Sequence, residues 1–183
     1  IERENRIGGI LKQCIHAGFG RQYFGEELTG PEYAEKFAVL AKENGIEFML
    51  DTTALEIKEK TLVCVNTEGI ININFGALVL AMGCRERTRA NLVIPGSRPA
   101  GIYSAGTAQK FVNMKGYLPG KNVVILGSGD IGMIMARRLS LGGAKVKAVV
   151  EIMPYLAGLA RNKVQCLDDF DIITDTEYFV NTF

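Results

Sequence analysis

The chain has 183 residues, of which 48% are hydrophobic, so it is long enough to bury one large core or two smaller ones. Its 21 basic and 20 acidic residues nearly cancel, and no run of either sign predicts a surface for nucleic acid or a membrane. The longest apolar run, residues 77–82, falls far short of the ~20 residues that a membrane-spanning helix needs. We therefore expect a globular protein with no membrane or nucleic-acid partner.

Cysteine and histidine usage argues against a metal site. The four cysteines, at positions 14, 64, 84 and 166, form no C-x-x-C pair, and their spacing suits neither zinc nor a disulfide framework. His16 is the only histidine, which excludes a histidine-rich metal site and disfavours a Ser-His-Asp triad. Unpaired cysteines are typical of a reducing compartment, so we expect a cytoplasmic protein that holds no metal.

A capped helix and several short strands are predicted for the first half of the chain. Thr29-Gly30-Pro31-Glu32 fits a capping box with proline in the first turn, and Asn44-Gly45 marks the end of the helix. An antiparallel meander is predicted from four strands, at residues 47–50, 54–57, 61–65 and 70–74. Residues 77–81 are apolar on both faces, which is typical of a central strand in a parallel sheet.

A polar connector precedes a β-α-β pattern in the second half. Residues 84–100 contain two prolines and a glycine near their end, and we place a domain boundary there. A short helix is predicted for residues 105–114, and strands are predicted for residues 122–126 and 145–150, with a helix between them. This alternation predicts an α/β fold with a parallel sheet.

The clearest functional motif is Gly127-Ser128-Gly129-Asp130-Ile131-Gly132, which matches the pattern G-x-G-x-x-G. It follows a predicted strand and begins a helix, and Glu151 closes the next strand. In such a turn the first glycine permits the tight bend, the second lets a dinucleotide pyrophosphate approach, and the third lets the helix pack closely. The helix N-terminus offers N–H groups to the phosphates, and Glu151 can accept hydrogen bonds from the adenosine ribose.

Two alternatives accompany this motif. The glycines could serve packing alone, but the strand-turn-helix context and the acidic residue favour NAD binding. Asp130 would suit the positive end of the helix dipole yet repel a pyrophosphate, so we expect its side chain to point sideways.

Several segments together resemble the thioredoxin reductase and pyridine nucleotide-disulfide oxidoreductase superfamily, in which an NAD(P) domain is inserted into an FAD domain. The meander, Ala81-Met82-Gly83 and Ile94-Pro95-Gly96 match the segment before the inserted domain, and the glycine turn follows. Residues 8–16 and 103–109 carry a closer resemblance, to the NAD/FAD dehydrogenases grouped with the sarcosine oxidase alpha subunit and the anaerobic glycerol-3-phosphate dehydrogenase system.

The resemblance implies parts of two doubly wound, Rossmann-like nucleotide-binding domains: an FAD-type domain over residues 1–99 and an NAD-binding domain over residues 100–183. It assigns the FAD ribose to Glu2, the flavin to Gly8, Gly9 and Gly83, and the adenine to the strand of Ala54, with further FAD contacts at Gln13 and Ala81. The family's first FAD glycine motif has no match before Glu2, so we interpret the chain as a fragment with an incomplete FAD site.

Cysteine chemistry departs from thioredoxin reductases. Residues 105–109 contain no cysteine where those enzymes carry a redox C-x-x-C, which excludes a dithiol reaction by that route. Cys14 lies near the flavin-proximal cysteine of glutathione-reductase-like members, and with His16 it could form an activated thiolate. The two side chains would share a face on a strand, whereas residues two apart on a helix do not meet. The alternative is a buried structural cysteine, which we favour because it is the commoner case.

The resemblance implies a parent enzyme that passes hydride between NAD(H) and FAD. The flavin then exchanges electrons with a small-molecule redox substrate or an electron-carrier subunit. The isolated fragment is expected to be inactive and to self-associate through apolar surface left bare. A non-catalytic NAD-binding or assembly module is the alternative function.

Overall fold

The computed structural model describes residues 1–176 and consists of two compact units. The first unit is Ile1–Cys84, and the second begins at Arg85. This division falls at the start of the polar connector, whereas the predicted domain boundary lies near its end. Within the described part of the chain, no helix is both long and apolar enough to cross a membrane.

The first unit contains a capped helix and a three-stranded sheet. Its elements in chain order are a 3₁₀ helix (Gly9–Gln13), β1 (Ala17–Phe19), α1 (Arg21–Phe24), β2 (Leu28–Thr29), α2 (Gly30–Glu43), β3 (Thr53–Lys58), β4 (Thr61–Asn66) and β5 (Gly69–Asn74). The predicted capping box of α2 is present, because the backbone N–H and hydroxyl of Thr29 both donate to Glu32 Oε2, at 2.8 and 2.7 Å. The helix ends before Asn44 and Gly45, as predicted.

The predicted meander is confirmed for three of its four strands. β3, β4 and β5 pair antiparallel in sequence order, with Ala54 opposite Cys64 and Cys64 opposite Ile71. Residues 46–50 form no strand. This stretch and the residues after it nevertheless bond to the start of the chain, because Glu2 N donates to Met49 O and Thr52 N donates to Glu2 O, at 2.9 and 3.0 Å.

The prediction of a buried parallel strand at residues 77–81 is wrong for this structure. Val79 is 86% exposed, and among the described residues no backbone hydrogen bond joins residues 77–83 to another segment. A strand that is apolar on both faces is stable only between neighbouring strands and beneath covering helices. The meander of the first unit ends at β5 and offers residues 77–81 neither.

The second unit is a parallel α/β layer, and it confirms the predicted fold class. Its elements in chain order are α3 (Ala105–Lys115), β6 (Asn122–Leu126), α4 (Asp130–Leu141), β7 (Lys145–Val150), α5 (Ala160–Cys166), a 3₁₀ helix (Asp168–Phe170) and β8 (Thr174–Asp175). The strands are parallel in the order β6-β7-β8, and β6 and β7 occupy the predicted residues. The apolar face of α4 packs Met133, Met135 and Leu139 into the core with Val146 and Val149 of β7, which fixes the turn between β6 and α4.

Candidate dinucleotide-binding site

The glycine motif forms the turn that joins β6 to α4. Gly127 has a φ of 98°, a left-handed conformation that an L-residue rarely adopts, and its N–H donates to Val150 O at 2.7 Å. Gly129 then precedes the helix in an extended conformation, with φ −61° and ψ 159°. The turn is therefore bent sharply and tied to the end of the neighbouring strand.

Two glycines of the motif meet opposite surroundings. A Cβ on Gly132 would lie 2.8 Å from Gly127 O, so the helix can approach the turn only without a side chain there. A Cβ on Gly129 would meet no atom within 4 Å from any residue other than its chain neighbours, and Gly129 is exposed. This is the combination that a pyrophosphate needs: a closely packed helix and open space in front of the backbone.

The helix behind this space can attract an anion. α4 has 12 residues, and its first intrahelical hydrogen bond runs from Met133 N to Gly129 O at 3.1 Å. The N–H groups of Asp130, Ile131 and Gly132 precede that bond and form the positive end of the helix dipole. The turn and this helix end therefore fit the pyrophosphate of a dinucleotide.

Glu151 follows β7 and turns its carboxylate toward the glycine turn. Oε2 accepts hydrogen bonds from Ser128 N and Ser128 Oγ at 2.8 and 2.5 Å. Oε1 accepts hydrogen bonds from Ile152 N and Met153 N at 2.8 and 3.2 Å. Glu151 is only 6% exposed, and Ser128 is fully buried. The carboxylate thus fastens the middle of the turn to the end of β7.

The same contacts determine the protonation of Glu151. Burial raises the pKa of this carboxyl, but the hydrogen bonds from Ser128, Met153 and Ile152 outweigh burial and hold the pKa below its ordinary value. Glu151 is therefore a carboxylate at neutral pH. Its four protein donors already occupy the roughly four acceptor directions of a carboxylate, so a ribose hydroxyl would have to share one of them. The ribose contact of Glu151 stays a prediction.

The Asp130 carboxylate is bound by the segment that follows β7. Its Oδ1 accepts hydrogen bonds from Leu159 N and Asn162 Nδ2, at 2.8 and 2.7 Å. The neighbouring backbone is also bound to the turn, because Ala157 N donates to Ser128 Oγ and Gly158 N donates to Ser128 O. These partners follow β7 in the sequence, and their pattern alone contains no recognisable signal for contact with the turn.

The residues that the resemblance assigns to FAD are only partly brought together. Glu2 lies beside the start of β3 through its backbone bonds to Met49 and Thr52, and its Oε1 accepts a 2.9 Å hydrogen bond from Glu4 N. Ala54 lies in β3, two residues beyond Thr52. Ala81 and Gly83 lie in the exposed stretch after the meander, without a described backbone hydrogen bond to these residues.

Gly8, Gly9 and Gln13 surround the first 3₁₀ helix. Gly8 has a φ of 110°, and a Cβ there would approach Ala34 Cβ of α2 to 3.0 Å. Close packing of this helix against α2 thus accounts for Gly8 without a cofactor, while Gly9 has open space at its Cβ position. Gln13 is buried. The first unit contains no glycine turn like that of the second, so these residues alone do not form a pyrophosphate cradle for FAD.

Cys14 has the surroundings of a structural cysteine. It is buried, its Sγ donates to Ile10 O at 3.3 Å, and burial raises the pKa of its thiol. His16 instead has Nδ1 3.1 Å from Ala17 O. A protonated thiol with no contact to the histidine favours the structural alternative over an activated thiolate.

The comparisons with known proteins agree with this geometry. The family model for the pyridine nucleotide-disulphide oxidoreductases matches residues 11–166. The chain belongs to this family. Members bind FAD and NAD(P), which confirms the expected family and the expected pair of cofactors.

Individual relatives match parts of the chain. Peroxisomal monodehydroascorbate reductase 2 of Oryza sativa subsp. japonica is 33% identical over 128 residues, which cover 67% of this chain and 26% of that protein. Sarcosine oxidase subunit alpha of Rhizobium meliloti (strain 1021) is 32% identical over 106 residues, covering 54% of this chain and 10% of the subunit. The chain therefore spans about a quarter of the first relative and a tenth of the second.

A solved structure supports the fold. Thioredoxin reductase of Lactococcus lactis superposes with a TM-score of 0.64 at 18% identity, covering 95% of this chain and 55% of the reductase. At this identity the likeness concerns the fold alone, and it agrees with the Rossmann-like class expected from the glycine turn.

Proposed function

We propose that the chain is the part of an FAD-dependent oxidoreductase that receives NAD(H) and holds it for hydride exchange with FAD. The observation that carries this proposal is the turn at the start of α4, where Gly132 allows close packing and Gly129 faces open space. Membership of the pyridine nucleotide-disulphide oxidoreductase family supports the same pair of cofactors.

The residues of the turn would have separate tasks. The N–H groups at the start of α4 would bind the pyrophosphate, which approaches over Gly129. Ser128 and Glu151 would keep the turn in the conformation that presents these groups, because their hydrogen bonds tie it to the end of β7. Glu151 would also place a negative charge beside the adenosine ribose, which favours NAD over NADP.

The first unit would supply part of the FAD site. Glu2, Gly8, Gly9, Gln13, Ala54, Ala81 and Gly83 remain the proposed FAD contacts. When bound, the two cofactors would supply the redox chemistry. Cys14 has no proposed part in this chemistry, since its thiol is buried and bonded to Ile10 O. The second reactant would be a small-molecule redox substrate or an electron-carrier subunit.

Anaerobic mixing of the full-length protein with NADH tests the proposal. We expect the flavin absorbance to bleach, because hydride reaches bound FAD, and we expect Gly129→Val to slow bleaching by blocking the approach of the pyrophosphate. The flavin content of both proteins is measured first, as a control for FAD loading. Bound flavin that stays oxidised in the unmodified protein would overturn the proposal and leave the non-catalytic NAD-binding module.

A further inference from the structure

Asp130 creates an electrostatic conflict inside the glycine turn. Its carboxylate lies in the first turn of α4, at the helix end that would bind a pyrophosphate. Two like charges at that end would oppose each other by Coulomb repulsion. A site of this kind works only if the carboxylate is kept out of the space that the ligand enters.

Asn162 supplies the contact that keeps it out. Asn162 Nδ2 donates to Asp130 Oδ1 at 2.7 Å, and Leu159 N donates to the same oxygen at 2.8 Å. Asn162 is 8% exposed, and its backbone N–H donates to Leu159 O at 2.9 Å, so its backbone is fixed at the start of α5. Apart from its chain neighbours Ser128 and Asp130, no residue has an atom within 4 Å of the Cβ position of Gly129.

The backbone around Gly158 makes this arrangement possible. A Cβ on Gly158 would lie 2.7 Å from Asp130 Oδ1 and would collide with Met133 Cε. Gly158 N and Ala157 N are bound to Ser128, so the segment that carries Leu159 and Asn162 lies directly on the glycine turn. The donors that hold Asp130 are therefore rigidly placed relative to the motif.

We infer that Asn162 is a positioning residue for dinucleotide binding, which holds the Asp130 carboxylate away from the pyrophosphate space. This inference rests on the proposed function of the turn. Without the Asn162 amide, Leu159 N is the single described donor that remains on Asp130. The carboxylate can then rotate toward the helix N-terminus, where its charge opposes the phosphates.

The test measures equilibrium binding of NADH to the 183-residue chain and its variants. Asn162→Ala is expected to raise the Kd for NADH about tenfold at low salt, as repulsion over a few ångströms predicts. Adding Asp130→Asn to Asn162→Ala is expected to restore the Kd to within about twofold of the unmodified chain, because the opposing charge is gone. The Kd penalty of Asn162→Ala should also shrink as salt is raised.

Asn113→Ala is the matched control. Asn113 Oδ1 accepts a 2.8 Å hydrogen bond from Arg138 Nε between α3 and α4, so this variant also removes a partly buried asparagine contact in the same unit. We expect it to lower the melting temperature without changing the salt dependence of NADH binding. A structural role of Asn162 would make its variant resemble this control, and Asp130→Asn would then not restore the Kd.

Hydrogen exchange provides a readout that needs no ligand. In Asn162→Ala the amide of Leu159 should exchange faster, because Asp130 leaves it. Unchanged exchange, or a Kd that Asp130→Asn fails to restore, would overturn the role of Asn162. Absence of NADH binding by the unmodified chain would instead overturn the proposed function of the turn.

Discussion

The two units differ in how far their apolar segments are buried. In the second unit, α4 covers β7, and Met133, Met135 and Val149 are almost completely buried between them. In the first unit, every residue of β3 is exposed, and the apolar stretch at residues 77–82 lies open, with Met82 at 81% exposure. β3 and β7 each have six residues, so the difference between them lies in what covers the strand.

In a β-α-β unit, the helix between the two strands covers the sheet that they form. Its crossover helix lies on the sheet formed by the two strands that it joins, so sequence-neighbouring elements bury one another. A central strand such as the predicted one at residues 77–81 depends on strands and helices contributed by distant segments. The second unit should therefore bind its ligand within this chain, whereas the first should depend on further structure.

The largest expected effect is a difference in cofactor retention. The 183-residue chain should bind NADH through its glycine turn but should keep little or no FAD, because the described first unit lacks a glycine turn for a second pyrophosphate. Equilibrium dialysis measures the binding of NADH, and a flavin absorbance spectrum of the purified chain measures the FAD that it retains. Stoichiometric flavin in this preparation would contradict the contrast between the units.

Association of the 183-residue chain should follow from the exposed apolar stretch. We expect oligomers by light scattering, and Val79→Lys should shift the population toward monomer, because it places a charge in the apolar surface. Val124→Lys is the matched substitution in the second unit, on a side chain that is 61% exposed in β6. A monomeric unmodified chain would contradict the expected association. An effect of Val124→Lys alone would assign the association to the second unit.

Gly132 and Gly129 separate stability from binding within the second unit. Gly132→Ala should lower the free energy of unfolding by about 1–3 kcal/mol, because the added Cβ meets the backbone oxygen of Gly127. Gly129→Ala should change it by less than about 0.5 kcal/mol, since its backbone conformation suits alanine and the space is open. Chemical denaturation and NADH titration distinguish them: Gly129→Ala should weaken binding while the fold persists. If Gly129→Ala binds NADH as tightly as the unmodified chain, the pyrophosphate does not bind at this turn.

Glu151 should make the second unit sensitive to acid. Its pKa is lower in the folded chain than the ordinary value of roughly 4.3, so its stabilisation is present above that value and is lost as the pH falls through the folded pKa. Glu151→Gln turns an amide N–H₂ toward two donors and should cost about 1–3 kcal/mol at neutral pH. Denaturation at pH 7 and near pH 3 should show the gap between the two chains narrowing in acid. A gap that stays constant with pH would contradict the carboxylate anchor.

The smallest expected effect is the preference for NAD. A 2′-phosphate would meet the charge of Glu151, so NADH should bind at least about tenfold more tightly than NADPH, or ~1.4 kcal/mol. Because the carboxylate is saturated by protein donors, this preference should come from its charge and should shrink in Glu151→Ala. Fluorescence titration with both nucleotides, before and after the substitution, measures it. Equal affinities of the unmodified chain for NADH and NADPH would refute the preference. An unchanged ratio of the two affinities in Glu151→Ala would show that another residue causes the preference.

Local pattern alone determined the helix starts and the β-α-β unit. Thr29 and Glu32 predict the start of α2 because a capping box needs only residues three apart. Gly127, Gly129 and Gly132 predict the turn because their conformational freedom and small size act within one strand-helix junction. β6 and β7 lie at the predicted residues for the same reason, since their helix and their pairing are close in the sequence.

Contacts between distant residues were decided only by the tertiary structure. Residues 77–81 have the composition of a buried strand, but burial also requires neighbouring strands and covering helices, which the composition of the segment does not predict. The inward turn of Glu151 and the Asp130–Asn162 contact join residues 23 and 32 positions from their partners, through donors whose direction depends on how the loop after β7 folds back. Hydrogen bonds require a particular distance and angle, and those follow from the folded path of the chain and not from residue type.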